Sequence, residues 1–287
     1  MKTLIFRFFG IMVIAGLLVT SCNTGITYPP VSKTPTGEYH PGQFVWHDLA
    51  TSNPEAAMNF YRAVFGWEYT TYGTGDKAYY VITNNGKPIG GIFKLPEKYS
   101  NVSEWVGSVS VPDVDAAVAY NKTQGGQTIY KAVTFKGRGT TALVQDPQGA
   151  IVAFLHAEGG DPGFSEVDEN SWLWNELWTT DMEGSQKYYK DLLGFYGKSI
   201  LGAKAPYFVF EKEKQKYFGI IGNPVEGARS AWMPYIRVSD VKTTVAKTTL
   251  AEGEVMMEPN KEIRKGKVAV LLDPVGAQFT VQEWPIK

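Results

Sequence analysis

The sequence contains one cysteine, Cys22, and three histidines among 287 residues. A lone cysteine excludes any intrachain disulfide, and three histidines leave little imidazole for a metal centre. Neither sign of charge dominates: 28 Lys and Arg stand against 29 Asp and Glu, a formal net charge of −1. That balance lacks the electrostatic footprint of a nucleic-acid surface, and no run of like charge is long enough for an interaction tail. No apolar run reaches the roughly 20 residues that a bilayer-spanning helix needs. Phosphate-cradling glycine loops, a Ser-His-Asp elbow and a cysteine nucleophile are all missing. Aromatic residues are plentiful, with 8 Trp, 16 Tyr and 15 Phe in a chain that is 44% hydrophobic and 20% charged. This composition supports a real core, and the length gives room for two domains.

Residues 1–21 read as an export signal. Lys2 and Arg7 precede an apolar run over 8–19 that ends in Val19-Thr20-Ser21-Cys22. These four residues resemble the bacterial lipobox, in which the cysteine is lipidated after cleavage. The resemblance implies a lipid anchor on Cys22 and a bacterial, extracytoplasmic, membrane-tethered protein; several acyl chains anchor firmly, at about 0.8 kcal/mol per buried methylene. The competing reading is an ordinary secretory signal with a stray cysteine. Residues 22–42 carry Pro29, Pro30, Pro35 and Pro41, which oppose a helix and predict an extended tether.

The remainder is built on an internal repeat. FVWHDLATSNPEAAMNFYRAVFGW from Phe44 is matched by WLWNELWTTDMEGSQKYYKDLLGF from Trp172, so that Trp46 corresponds to Trp174, Asp48 to Glu176 and Asn53 to Asp181 at an offset of 128. Within each copy a strand leads to a helix and then to three β-prone runs. In the first copy, strand 44–51 precedes a helix that starts with Asn53 as N-cap and Pro54 at its first position and stops at Gly66. Runs 67–72, 78–83 and 89–95 follow, with Asn84-Asn85-Gly86 as a hairpin turn. The grammar repeats from 105: a strand to 111, a helix capped by Asp113 or Asp115, and strands 128–134, 141–145 and 151–156, the last two joined by Asp146-Pro147-Gln148-Gly149. The second copy repeats both units, with Trp232, Asp240 and Asp273-Pro274-Val275-Gly276 in the matching places. The predicted fold is α+β, with two tandem domains at 43–158 and 171–287. Each is a pair of βαβββ units forming a curled mixed sheet with helices outside, and a polar linker covers 159–170.

Glu-Ala-Ala and Phe-Tyr on a helix ending in Phe-Gly-Trp, then Val-x-Asp-Val-Asp-Ala-Ala, then Asp-Pro-x-Gly-Ala, resemble the vicinal oxygen chelate superfamily of glyoxalases, bleomycin-resistance proteins and dioxygenases. The opening Trp-x-Asp/Glu-Leu-x-Thr is similar to its glyoxalase-like branch of 27/30 kDa secreted antigens. The resemblance covers nearly all of 44–284. It implies cup-shaped sheets and, in metal-using members, ligands on the first and last strands of each unit. Counting along the repeat puts Trp46, Val106 and Ala153 at those positions in the first copy, and Trp174, Met233 and Thr280 in the second. None is a metal ligand, so no metal or other cofactor is expected; a divalent metal is the competing reading. His47 is one residue out of phase and is expected on the helix-covered face. His156 is likewise out of phase, and His40 lies in the tether.

Alternation places Trp46, Asp48 and Ala50 on one face, and Trp174, Glu176 and Trp178 on the same face of the second copy. In the family register this face lines the cup, giving an indole platform beside a carboxylate. Tyr79, Tyr80, Tyr207 and Phe208 either extend the lining or belong to the core. Gly90-Gly91 reads as a place of close strand approach. Three functions are open. The first is binding of a small aromatic or amphipathic molecule by Trp46, Asp48, Trp174, Glu176 and Trp178. The second is a glyoxalase-like lyase, isomerase or dioxygenase, metal-dependent or with Asp48 or Glu176 as base. The third is a structural protein whose cups are filled.

Overall fold

The computed structural model describes residues 28–100, 102–200 and 206–286. Among the described residues, sixteen strands and four α-helices are arranged as four βαβββ units. The first unit comprises β1 (Phe44–Thr51), α1 (Pro54–Phe65), β2 (Glu68–Tyr72), β3 (Tyr79–Asn84) and β4 (Lys87–Lys94). The second comprises β5 (Ser103–Ser110), α2 (Val114–Thr123), β6 (Gln127–Phe135), β7 (Gly139–Gln145) and β8 (Ile151–Ala157). The third comprises β9 (Trp172–Thr179), α3 (Met182–Leu193), β10 (Gly197–Ser199), β11 (Tyr207–Lys212) and β12 (Gln215–Gly222). The fourth comprises β13 (Ala231–Val238), α4 (Val241–Leu250), β14 (Glu254–Met257), β15 (Val268–Leu272) and β16 (Gln278–Glu283).

The local signals act as the sequence predicts. Asn53 and Asp113 each accept a hydrogen bond from the backbone N–H three residues on, and Gly66 closes α1 in the left-handed conformation at φ 75°. Asp113 rather than Asp115 is therefore the cap of α2. Asn85 and Gly86, with φ 51° and 72°, form the tight turn that joins β3 to β4.

The strands form two mixed eight-stranded sheets, in the orders β2-β3-β4-β1-β5-β8-β7-β6 and β10-β11-β12-β9-β13-β16-β15-β14. In each βαβββ unit the first strand pairs parallel with the last, as β1 does with β4 and β13 with β16. The sheets follow the sequence halves. The compact units do not: one contains residues 107–162 and 174–232 with the N-terminal segment, the other 46–106, 163–173 and 233–287. The second core shows why. Ala57, Phe60, Tyr61, Val64 and Phe65 of α1 bury their side chains with Ile236, Val241, Ala269, Leu271, Phe279 and Val281. In the other unit the equivalent partners are Val109, Val144, Val152 and Phe154 with Tyr188, Tyr189, Phe210 and Phe218. Each helix-covered face thus meets the helix-covered face of a unit from the other half of the sequence.

The described parts of the predicted tether and linker make hydrogen bonds to the rest of the chain. Residues 28–42 lack regular structure, as their prolines dictate, yet they are bonded along the first compact unit. Pro29 O accepts from Arg138 Nε at 2.8 Å, and Thr36 N donates to Gly159 O at 2.8 Å. His40 N and Ser110 Oγ both donate to Asp161 Oδ2, at 2.7 and 2.6 Å. The reach of a free spacer is therefore not available to residues 28–42; residues 1–27, including the signal and Cys22, lie outside the described residues. The predicted linker is likewise fixed at its end, where Glu169 O and Ser171 Oγ accept from Asn84 Nδ2 and Asn170 O accepts from Trp67 Nε1.

Candidate functional site

On β1, Val45, His47, Leu49 and Thr51 point to the helix-covered side, where Leu49 joins the core with α1. Trp46, Asp48 and Ala50 therefore face the helix-free side. Trp46 Nε1 donates to Asp48 Oδ1 at 3.1 Å and lies 3.0 Å from the Tyr79 hydroxyl; that hydroxyl donates to the same Asp48 oxygen at 2.6 Å. Indole and phenol thus converge on one carboxylate oxygen. Trp46 is 1% exposed and Tyr79 6%, while Asp48 is only partly buried.

Tyr79 reaches Asp48 by lying across β4. Gly91 pairs with Val81 on one side and Asp48 on the other. A Cβ on Gly91 would overlap the Tyr79 ring and hydroxyl, so only glycine leaves the passage open. Gly90 points the other way, towards the His47 carbonyl. The sequence marks the glycine pair as a close approach without showing which residue passes over it.

The second copy repeats the device with altered members. Trp174 Nε1 donates to the Tyr207 hydroxyl at 3.0 Å, and a Cβ on Gly219, the residue in register with Glu176, would lie 2.5 Å from that hydroxyl. Glu176 is buried, and its Oε2 accepts from Trp178 Nε1 at 3.0 Å. Burial is reversed between the copies: Trp46 is buried with Asp48 partly exposed, whereas Trp174 is partly exposed with Glu176 buried. Of the four other aromatics, Tyr79 and Tyr207 join the site. Tyr80 packs against one core and Phe208 is buried in the other.

The histidines stand outside both clusters. His47 is buried and stacks on Trp172 of β9, with centroids 4.2 Å apart. His156 Nδ1 lies 3.2 Å from Val111 O and its ring stacks on Tyr39 at 4.5 Å.

The residues that give the chain its motif are structural. Asp273 Oδ1 accepts from the backbone N–H of Val275, Gly276 and Ala277 at 2.7–2.9 Å, and its Oδ2 from the Tyr61 hydroxyl at 3.2 Å. Trp105 Nε1 donates to Tyr61 in turn, at 2.7 Å. Asp146, Tyr189 and Trp232 form the same chain in the other compact unit, at 2.8 and 3.0 Å. Burial pushes both carboxyls up to about 6, against the hydrogen bonds that favour the anion. Both sit on the helix-covered side, away from the indole–carboxylate clusters.

The family model for the glyoxalase/bleomycin resistance protein/dioxygenase superfamily matches residues 42–154. Over 250 residues the chain is 32% identical to "Putative glyoxylase CFP32" of Mycobacterium tuberculosis, covering 85% of this chain and 95% of that one. The anthracycline biosynthesis protein DnrV of Streptomyces peucetius is 28% identical over 264 residues, with 85% and 94% covered. Among solved structures, the Mn(II)-bound glyoxalase of Novosphingobium aromaticivorans superposes with a TM-score of 0.56 at 14% identity, covering 84% of this chain and 82% of that one. The 2,3-dioxygenase LapB of Pseudomonas sp. KL28 gives 0.55 at 16%, covering 85% and 91%. These two share the fold. Of the six positions counted from the resemblance, Trp46, Val106, Ala153, Met233 and Thr280 are buried and Trp174 is partly buried, and among the described residues no three His, Cys, Asp or Glu come together as a group. Sequence identity over most of the chain, the repeated βαβββ units and the two mixed sheets agree, and the chain belongs to the glyoxalase/bleomycin resistance protein/dioxygenase superfamily.

Proposed function

We propose that the protein binds a small aromatic or amphipathic molecule on the helix-free sheet faces, through Trp46, Asp48 and Tyr79 in one copy and Trp174, Glu176, Trp178 and Tyr207 in the other, without the family's metal. The observation that carries this reading is the convergence of Trp46 and Tyr79 on Asp48 Oδ1. Two rings fix a partly exposed carboxylate beside an indole, which supplies apolar area with one oriented polar group. The relation to a protein named for anthracycline biosynthesis supports an aromatic ligand class. Thermal-shift screening of aromatic and amphipathic compounds should find at least one that raises the melting temperature, with Asp48→Asn or Trp174→Phe weakening it about tenfold. If no compound stabilises the protein while these variants only lose stability, the clusters are filled core. Protein purified without chelator should contain no stoichiometric Zn, Ni, Mn or Fe; finding one, lost in His47→Ala, would overturn the metal-free reading.

A second reading is favoured by the name of CFP32 and by the 2.6 Å contact between the Tyr79 hydroxyl and Asp48. Here Asp48, or Glu176 in the other copy, is the base of a glyoxalase-like reaction. Turnover lost in Asp48→Asn with ligand binding kept would establish it.

The protein is further proposed to be tethered outside the cytoplasm of a bacterium through lipid on Cys22. The lipobox-like Val19-Thr20-Ser21-Cys22 supports this. Cys22→Ser should move the protein from the membrane to the soluble fraction; a variant still membrane-bound would refute the anchor.

A further inference from the structure

The docked N-terminal segment is seated on one hairpin. Tyr28, the first described residue, donates its N–H to Lys136 O at 2.9 Å, and its ring meets Phe135 edge-on with centroids 4.9 Å apart. Arg138 Nε donates to Pro29 O, and Val31 is buried. Lys136 and Arg138 belong to the turn between β6 and β7 in the first compact unit, so residues 28–31 lie on that turn. Further along, Gly159 O and Asp161 Oδ2 hold Thr36 and His40. Six residue steps separate Tyr28 from Cys22. A chain of that length spans at most about 20 Å whatever its conformation. An undocked, extended spacer over 22–42 would reach roughly 60 Å instead. Lipid on Cys22 would therefore keep the β6–β7 turn within about 20 Å of a bilayer surface.

The hairpin has the charge that such a position favours. From Gln127 to Gln145 it carries Lys131, Lys136 and Arg138 and no Asp or Glu. These cations lie between the middle of β6 and the turn, and Lys131 and Lys136 are exposed. One acid reaches the turn from β8's end: Glu158, whose carboxylate accepts from Gly137 N. The repeat supplies an internal control. At an offset of 127 the second copy has Glu254, Glu258 and Glu262 in the matching stretch, beside Lys261, Arg264, Lys265 and Lys267. Three cations against no acid give +3 in the first copy, and four against three give +1 in the second. An acid-free hairpin is thus not a demand of the fold. Exposed lysines near a bilayer are attracted to anionic headgroups, and the attraction acts within a Debye length.

We propose that the β6–β7 hairpin faces an anionic lipid bilayer. The docked segment delivers the lipid-bearing end of the chain beside the turn, and Lys131 and Lys136 meet the headgroups. Docking of residues 28–42 then converts an anchor into an orientation, because a fixed point and a short link decide which part of the first compact unit approaches the surface. This inference rests on the lipid anchor at Cys22 proposed above and is independent of the indole–carboxylate reading.

The test uses the full-length lipidated protein on phosphatidylglycerol vesicles that contain a headgroup-spin-labelled lipid. Cys22 is the chain's one cysteine, so with its sulfur acylated an introduced cysteine alone takes a thiol-reactive fluorophore. Thr134 is exposed beside the turn, and Gln127 is exposed at the other end of β6, about 20 Å away by strand rise. A fluorophore on Thr134→Cys should be quenched, whereas one on Gln127→Cys should keep its emission. Inserting about twenty Gly and Ser residues between Thr27 and Tyr28, which adds a reach of ~25 Å, should weaken the quenching at position 134. Replacing Lys131 and Lys136 by Gln should weaken it as well. Equal quenching at the two positions overturns the proposal and leaves the anchor standing. So does quenching at position 134 that neither the insertion nor the lysine replacements reduce. Protein that does not stay on the vesicles, or that stays on them as Cys22→Ser, refutes the anchor itself, and the orientation falls with it.

Discussion

Replacing Asp273 with alanine is expected to destabilise the protein by about 4 kcal/mol, a large share of the roughly 5–15 kcal/mol that holds a domain folded. The carboxylate receives three backbone N–H groups of the turn before β16 and the Tyr61 hydroxyl. Each buried donor left without a partner costs about 1–3 kcal/mol. The loss reaches across the sequence, because Tyr61 belongs to the first copy and Asp273 to the second. Asp146→Ala should act in the same way through Tyr189. Denaturant unfolding followed by fluorescence measures the effect; a cost under about 1 kcal/mol would show that the Trp–Tyr–Asp chain is not a keystone.

The same two carboxyls set a pH dependence. Burial raises each in the folded chain to about 6 from the ordinary 3.8. Between those values the folded protein keeps protons that the unfolded chain has released, so this contribution is complete below the unfolded value and is lost as pH rises through 6. From pH 5 to 7.5 each carboxyl should remove about 1.5 kcal/mol. Asp273→Asn keeps an acceptor for the turn and cannot ionise, so it should cut the fall in stability over this range by about half. A variant with the wild-type pH profile would contradict the assignment.

The elements were legible because short-range chemistry sets them. Asn53 caps α1, Gly66 ends it and Asn85-Gly86 turns the hairpin whatever the rest of the chain does. The facing of Trp46, Asp48, Trp174, Glu176 and Trp178 followed from the two-residue period of a strand. Long-range choices were not legible. The repeat shows that Tyr61 and Tyr189 are equivalent, yet equivalence does not say that each bonds the aspartate of the other copy. Nor does alternation distinguish Tyr79, which crosses a strand, from Tyr80, which enters the core. The docking of residues 28–42 depends on Asp161, more than a hundred residues away, and no local pattern reports it.

Gly91→Ala provides the sharpest test of the indole–carboxylate site. Gly91 is buried, with no left-handed backbone to preserve, so the effect of a methyl group is purely steric. The methyl would occupy the space of the Tyr79 ring, and Tyr79 could no longer rest between Trp46 and Asp48. Overpacking and the lost hydrogen bonds together should cost about 3 kcal/mol and abolish any ligand response of the first copy. Tyr79→Ala removes the obstacle. The double variant should therefore be no less stable than Tyr79→Ala alone, a departure from additivity of about 2–3 kcal/mol. Gly219→Ala should couple to Tyr207 in the same sense but more weakly, because there the methyl would lie 2.5 Å from the hydroxyl and 2.9 Å from the ring. If Gly91→Ala and Tyr79→Ala simply add, Tyr79 does not need the glycine passage. The convergence on Asp48 would then lose the steric argument that ties it to the sequence.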